Sequence, residues 1–245
     1  MKPKIIVMDL GSTIIDNYNI SFVDGFKYIY DNYCLHNVSF ESFHDDMNSI
    51  YINAFENRDN DDFEINFQNY LRYMDQVVGF KEDVSFDILE KEFIDHAFTS
   101  SLVDGVKEFL DFTAKLNIDI YILSNSCLTG KALKYELSRF GLDSYFKEVY
   151  SSADYLMRKP NTLFFNVITK YLKRKYKDLN LSEVWYIGND YKYDVLGSYK
   201  AGLKSVWLNR NNETNIEKFP CIDATGYEFL INLLRGQSHD KIWRI

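Results

Sequence analysis

Apolar and polar positions follow two different rhythms along this chain. In the first, short continuous apolar runs stand between segments of helical period. Lys4 to Met8 (KIIVM) is such a run, ending abruptly in Asp9, Gly11 and Ser12, as a buried parallel strand does where it enters a loop. Ile118 to Leu123 (IDIYIL), Val184 to Ile187 (VWYI) and Ser205 to Leu208 (SVWL) share that form, and Glu148 to Tyr150 is a weaker example. Between these runs, Leu163, Phe164, Val167, Ile168, Tyr171 and Leu172 recur at three- and four-residue spacing and predict a helix packed on the sheet, with Pro160 just ahead of it. Lys131 to Phe140 and Tyr193 to Ala201 also read as helices. Strands alternating with helices predict a Rossmann-like α/β core with a parallel sheet.

The second rhythm occupies residues 17–100. This stretch is rich in Phe, Tyr, Asn and Asp and shows helical spacing without any strong strand run. Phe22, Val23, Phe26, Ile29 and Tyr30 form one apolar stripe, and Phe63, Phe67, Tyr70, Leu71 and Met74 suggest another. The reading is an inserted α-helical cap at 17–100, with the core built from 1–16 and 101–245. Glu56 to Asp62 (ENRDNDD) is expected to be a loop inside the cap.

Composition narrows the function classes. With 46% hydrophobic residues in 245, the chain can bury a real core. Thirty-six acidic against 28 basic residues give a net charge of -8, which repels nucleic acid, and the basic run Lys170 to Lys177 reads as cations in the last turn of a helix. Three scattered cysteines without CxxC spacing point to a reducing compartment and to no thiolate metal site. Cys127, close after Ser124, reads as an apolar space-filler. His36, His44, His96 and His239 have no ligand spacing. No apolar stretch reaches membrane-spanning length, so the expectation is a cytoplasmic protein without a membrane partner, either monomer or homodimer.

In an open parallel sheet, ligands bind outside the carboxyl ends of the strands. The residues there are Asp9 after the first run, Ser124 and Asn125 after the second, Lys159 before Pro160, and Gly188, Asn189, Asp190 and Asp194 after VWYI. Carboxylates, a hydroxyl and an ammonium at one edge suit phosphoryl chemistry with Mg²⁺, which takes one or two carboxylates and leaves room for water and substrate phosphate. Asp9 and Asp190 fit the ligand role. Asp194 stands one helical turn on and is placed to orient Asp190 or its water. A carboxylate also serves as nucleophile, and Asp9 is the natural choice. Ser124, Lys159 and the backbone amides from Leu10 to Thr13 supply donors to phosphoryl oxygens. Singly, Asp9 or Ser124 would pass as an ordinary loop or helix cap; it is the joint set that reads as a site.

Taken together, these segments resemble the haloacid dehalogenase-like hydrolase superfamily. Its first motif, Asp-x-Asp-Gly-Thr/Val-Leu after an apolar strand, is matched by MDLGSTII, Met8 to Ile15. The second is matched by YILSNS with Ser124, the third by Lys159 in RKPNTLFF, and the fourth by IGNDYKYDVLGSYKAGL. The long interval between Asp9 and Ser124 is similar to the subgroup with a helical cap there. The resemblance implies a Mg²⁺-dependent phosphatase acting on a small phosphorylated metabolite through an Asp9 phospho-enzyme. Ser124 and Lys159 would assist, Ser12, Thr13 and Asn125 would contact substrate, and Asp9, the Gly11 carbonyl, Asp190, Asp194 and Asn189 would surround the metal. A dehalogenase needs no metal and leaves an acidic cluster without a use.

Two positions depart from the family pattern. The residue two after the nucleophile is usually an Asp that protonates the leaving group and activates water; here it is Gly11, which keeps only its carbonyl for the metal. Asn189 stands where the fourth motif often begins with an acid, leaving open whether Asp190 takes over in a shifted register. Asp16 is an alternative proton donor. The rival to an active phosphatase is a phospholigand-binding protein that has lost turnover.

Overall fold

A computed structural model describes residues 2–35, 37–82, 84–214 and 219–237; His36 and His239 lie outside them. Six parallel strands form the main sheet in the order β5-β4-β1-β6-β7-β8. They are β1 (Ile5–Met8), β4 (Asp119–Ser124), β5 (Phe146–Ser151), β6 (Val184–Gly188), β7 (Lys204–Leu208) and β8 (Ile222–Ala224). Each apolar run of the sequence lies in one of them, and only the three-residue edge strand β8 was not anticipated.

Side chains alternate across the sheet because successive residues of a strand face opposite ways. Ile6 and Met8 of β1, with Ile120 and Ile122 of β4, join a core that includes α5 (Val106–Lys115), α6 (Gly130–Arg139) and α9 (Tyr227–Arg235). Ile5 and Val7, with Tyr121, Leu123 and Tyr186, pack instead on Phe164, Phe165, Ile168 and Leu172 of α7 (Thr162–Lys175). Asn161 caps α7 through the Leu163 amide, and Lys173, Arg174 and Lys175 occupy its last turn, where cations favour the helix dipole. Pro160 therefore lies outside the helix, ahead of the cap, in a cis peptide with Lys159. The predicted helix from Tyr193 is a π-helical turn, Tyr191–Leu196, running into α8 (Gly197–Lys200).

Between β1 and β4 the chain leaves the sheet through an antiparallel ribbon of β2 (Ile15–Ile20) and β3 (Phe98–Leu102). Four helices lie between these two strands: α1 (Phe22–Tyr33), α2 (Phe40–Asp61), α3 (Phe67–Val78) and α4 (Phe86–Ala97). The expected boundaries at 16/17 and 100/101 fall inside the ribbon rather than at its ends. Glu56 to Asp62 is not a loop: α2 continues through Asp61 and stops at Asp62, which adopts a left-handed backbone at φ 55°. Phe63 is 51% exposed beyond α2 and does not join the stripe of α3. Phe22, Phe26, Phe67 and Phe93 pack ring against ring at centroid separations of 4.4 to 6.5 Å. Gly25 is what lets α1 approach α4, since a Cβ there would sit 2.6 Å from the Phe93 ring.

Candidate active site

β1 lies between β4 and β6, so the chain crosses over on opposite sides of it and leaves a crevice at its carboxyl end. Asp9 occupies that crevice, its amide held by the Ile187 carbonyl at 2.9 Å. Lys159 reaches it from the loop before α7. Its Nζ donates to Asp9 Oδ1 at 2.7 Å, to Asp194 Oδ1 at 2.6 Å and to the Tyr186 hydroxyl at 2.9 Å. An ammonium has three N–H donors, so all are engaged and none is left for a substrate oxygen in this arrangement. Burial alone would lower the pKa of Lys159, which is only 2% exposed, but Asp194 and Asp9 outweigh it and hold the ammonium above its ordinary value.

Asp194 is equally committed. Its Oδ2 accepts the Asp190 amide at 2.9 Å, and its approach requires Gly188, where a Cβ would lie 2.3 Å from the Asp194 carboxyl carbon. Burial pushes its pKa up to about 6, with Lys159 opposing and Asp9 adding to the rise. Asp190 caps the π-helical turn by accepting the Tyr193 amide at 2.8 Å. Asn189 accepts from the Thr13 hydroxyl at 3.2 Å, while its backbone carbonyl takes the Trp207 indole N–H at 2.9 Å.

Of the substrate contacts expected from sequence, Asn125 and the Thr13 hydroxyl are bonded inside the protein, while no described group hydrogen-bonds the Ser12 hydroxyl. Asn125 clasps the backbone of Lys159 at both ends of its amide, accepting from the Lys159 N–H at 2.7 Å and donating to the Lys159 carbonyl at 3.0 Å. It thus carries Lys159 to the site. The amides of Ser12 and Thr13 are bonded to the Ile15 and Leu10 carbonyls at 2.8 and 3.3 Å. Among the described residues, the loop amides without a partner are those of Leu10 and Gly11, so the expected nest narrows to these two. No hydrogen bond holds the Ser124 hydroxyl among the described residues; it stands at the end of β4, ready to donate to a ligand.

Three features of the site had no forecast role. Arg210, just past β7, binds Asp16 through both nitrogens at 2.9 and 2.8 Å and donates to the Ser12 carbonyl at 3.0 Å. Both Asp16 oxygens are therefore occupied, and the alternative of Asp16 as a free proton donor is set aside. Ser12 itself is held at φ 53°, a left-handed backbone that a non-glycine residue keeps only when clamped. Tyr227 donates to the Thr13 carbonyl at 2.5 Å. Tyr186 was hidden in VWYI as one more apolar residue, although a hydroxyl inside a buried strand always needs a partner.

For a metal, the donor set is lean. Among the described residues no group of three His, Cys, Asp or Glu side chains is arranged to hold an ion. Asp194 is taken by Lys159 and Asp190 Oδ1 caps the π-helical turn, so the Asp9 carboxylate, the Asn189 amide oxygen and the Gly11 carbonyl remain, with Asp190 Oδ2, to which no described group hydrogen-bonds, as a further oxygen. One carboxylate with neutral oxygens still fits Mg²⁺, a hard cation that keeps several waters and accepts phosphate oxygens as ligands.

Comparison with known proteins agrees with this architecture. The profile of the family described as haloacid dehalogenase-like hydrolase matches residues 6–208. Pyrimidine 5'-nucleotidase PynA of Streptococcus pneumoniae is 26% identical over 144 residues, 57% of each chain. Putative HAD-hydrolase YfnB of Bacillus subtilis is 25% identical over 134 residues, 54% of each. The chain thus aligns with little more than half the length of these relatives. The magnesium-bound structure of YfnB superposes with a TM-score of 0.59 at 17% identity, covering 96% of this chain and 99% of that one. A HAD phosphatase from Thermococcus onnurineus gives 0.62 at 18% identity, covering 97% and 99%. A 2-haloacid dehalogenase from Pseudomonas syringae gives 0.64 at 16% identity, covering 97% and 100%. At these identities the structures speak for the fold.

Proposed function

The chain belongs to the haloacid dehalogenase-like hydrolases, and from that premise we propose that it is a Mg²⁺-dependent phosphatase for a small phosphorylated metabolite, with Asp9 as nucleophile. Residues 17–100 act as its cap and 1–16 with 101–245 as its core. The observation that carries the reading is the buried Lys159 ammonium on Asp9 Oδ1 at 2.7 Å, which fixes the direction of the carboxylate. Oδ2, to which no described group hydrogen-bonds, is the oxygen that attacks. It forms an acyl-phosphate as the ester oxygen leaves with its electron pair; water then attacks phosphorus, returning the carboxylate and inorganic phosphate.

Ser124 and the amides of Leu10 and Gly11 bind the phosphoryl oxygens on which charge accumulates. Asp9, Asn189 and the Gly11 carbonyl would hold the cation, whose part is to neutralise charge on the phosphoryl group. Support comes from a nucleotidase among the relatives and from magnesium in a structural neighbour.

With glycine at 11, no side chain there protonates the leaving group, a contribution usually worth about 10² to 10⁴ in rate. Aryl, acyl and anomeric phosphates, whose leaving groups need little protonation, are therefore the favoured class. A phosphate-ester panel with Mg²⁺ tests the proposal: Asp9→Asn must abolish release. Gly11→Asp, which meets nothing within 4 Å of its Cβ, must help alkyl more than aryl esters. Equal effects on both classes would refute the leaving-group argument. A phospholigand-binding protein without turnover is the second reading, favoured by Gly11 and Asn189. Binding of panel members without release would establish it.

A further inference from the structure

We infer that Tyr186 is a positioning residue that aims the Lys159 ammonium at Asp9. Tyr186 lies in the middle of β6, fully buried, with its ring against Phe165 at 5.3 Å between centroids. Its hydroxyl oxygen accepts from Lys159 Nζ at 2.9 Å, and its proton goes to the Leu123 carbonyl at 2.8 Å, with Asp194 Oδ1 a longer alternative at 3.2 Å. One oxygen thereby joins the strand end just before Ser124, the lysine and the acidic partner of that lysine.

The geometry gives the hydroxyl a specific task. A buried ammonium seeks an acceptor for each of its three N–H groups, and an unfilled one drives the side chain to rotate until it finds another. Two acceptors here are carboxylates on different elements, Asp9 after β1 and Asp194 in the π-helical turn. They leave rotation about the line between them open. The third acceptor removes that freedom. The Leu123 carbonyl matters because it takes the hydroxyl proton, turning a lone pair toward Lys159. With phenylalanine at 186, the Leu123 carbonyl and one lysine N–H lose a shared partner, and the ammonium is drawn from Asp9 toward the carbonyl. Tyr186 touches no reacting atom and acts only through Lys159.

The test uses Tyr186→Phe, which keeps the ring packed on Phe165. The first measurement needs no turnover: ¹H–¹⁵N NMR of the Lys159 ammonium, assigned by its loss in Lys159→Arg, follows its hydrogen exchange with water. Exchange should be at least about ten-fold faster in Tyr186→Phe, the effect of one lost hydrogen bond to a charged group. Unchanged exchange overturns the inference. The second measurement rests on the phosphatase reading: release of nitrophenolate from p-nitrophenyl phosphate with Mg²⁺ and enzyme in excess. Its rate constant at saturation should fall about 10- to 100-fold while half-saturation moves by less than about three-fold. A lower melting temperature with exchange and rate constant both unchanged would make Tyr186 merely structural and overturn the inference. If wild type releases no nitrophenolate at all, the phosphatase reading fails, and the NMR result alone decides for or against Tyr186.

Discussion

Replacing Glu136 by Gln should stabilise the protein at alkaline pH and do almost nothing at acidic pH. Glu136 is buried on α6, and among the described residues nothing hydrogen-bonds its Oε1. Burial raises its pKa from 4.5 to about 7, against the pull of Arg139 and of the neighbouring Ser100 of β3. The folded state therefore holds this proton more tightly than the unfolded chain does. Stability from the protonated carboxyl is fully present below about 4.5 and is lost as pH rises through about 7. At about 1.4 kcal/mol for each factor of ten in proton affinity, the loss is about 3 kcal/mol above that range. Glutamine copies the protonated form at every pH. Urea unfolding of both proteins should give nearly equal stabilities at the acid end and a gap of about 3 kcal/mol at the alkaline end. Parallel curves would refute the reasoning, because they would mean that the carboxyl titrates alike in both states.

Arg210→Ala should lower kcat/KM about five- to ten-fold through the freed Ser12 loop. Its effect on stability should stay within about 1 kcal/mol, because the Asp16 pair is 35% and 25% exposed; steady-state kinetics beside urea unfolding check both. Asn189→Asp should lower the Mg²⁺ concentration for half-maximal turnover by about ten-fold by adding a second carboxylate, and an unchanged metal titration would remove Asn189 from the ligand set. Glu90 of α4 accepts the Thr129 amide at 2.9 Å and the Thr129 hydroxyl at 2.7 Å, fastening the helical segment to the start of α6. Glu90→Ala leaves that buried amide unpaired and should cost about 2 to 4 kcal/mol in urea unfolding.

The sheet was legible because parallel strands covered on both faces are continuous apolar runs, and β1, β4, β6 and β7 could be located from that alone. β2 (IDNYNI) and β3 (FTSSL) escaped notice for the opposite reason. Polar residues interrupt both runs, and the ribbon is joined by backbone pairing, which leaves no mark on composition. The end of α2 misled because ENRDNDD has the residues of a turn. Phe43 and Met47 anchor the first half of that helix, and a helix once started extends with one further hydrogen bond per residue. Asp9 and Ser124 were visible as polar residues ending apolar strands, Lys159 as the cation before Pro160 and Asp194 as an acid one helical turn after Asp190. What each bonds to was not. Lys159 with Asp194, Asn125 with the Lys159 backbone, and Arg210 with Asp16 are contacts made by the fold, and spacing along the chain carries no information about them.

These contacts change what the departures at Gly11 and Asn189 mean. Around Asp9 the charged groups bonded to one another are two carboxylates and one ammonium, leaving a single excess negative charge in a buried place. A phosphate dianion and a divalent cation entering together leave that total unchanged. Acids at both 11 and 189 would add two negative charges facing an incoming phosphate, with position 11 exposed and 189 half-buried, so that solvent screens part of the repulsion. An acid at 189 would give the proposed cation a second carboxylate, and one at 11 would move protons. Under the proposed phosphatase reading, a site with Gly11 and Asn189 meets an incoming phosphate with less negative charge of its own but does less for a poor leaving group once the phosphate is bound.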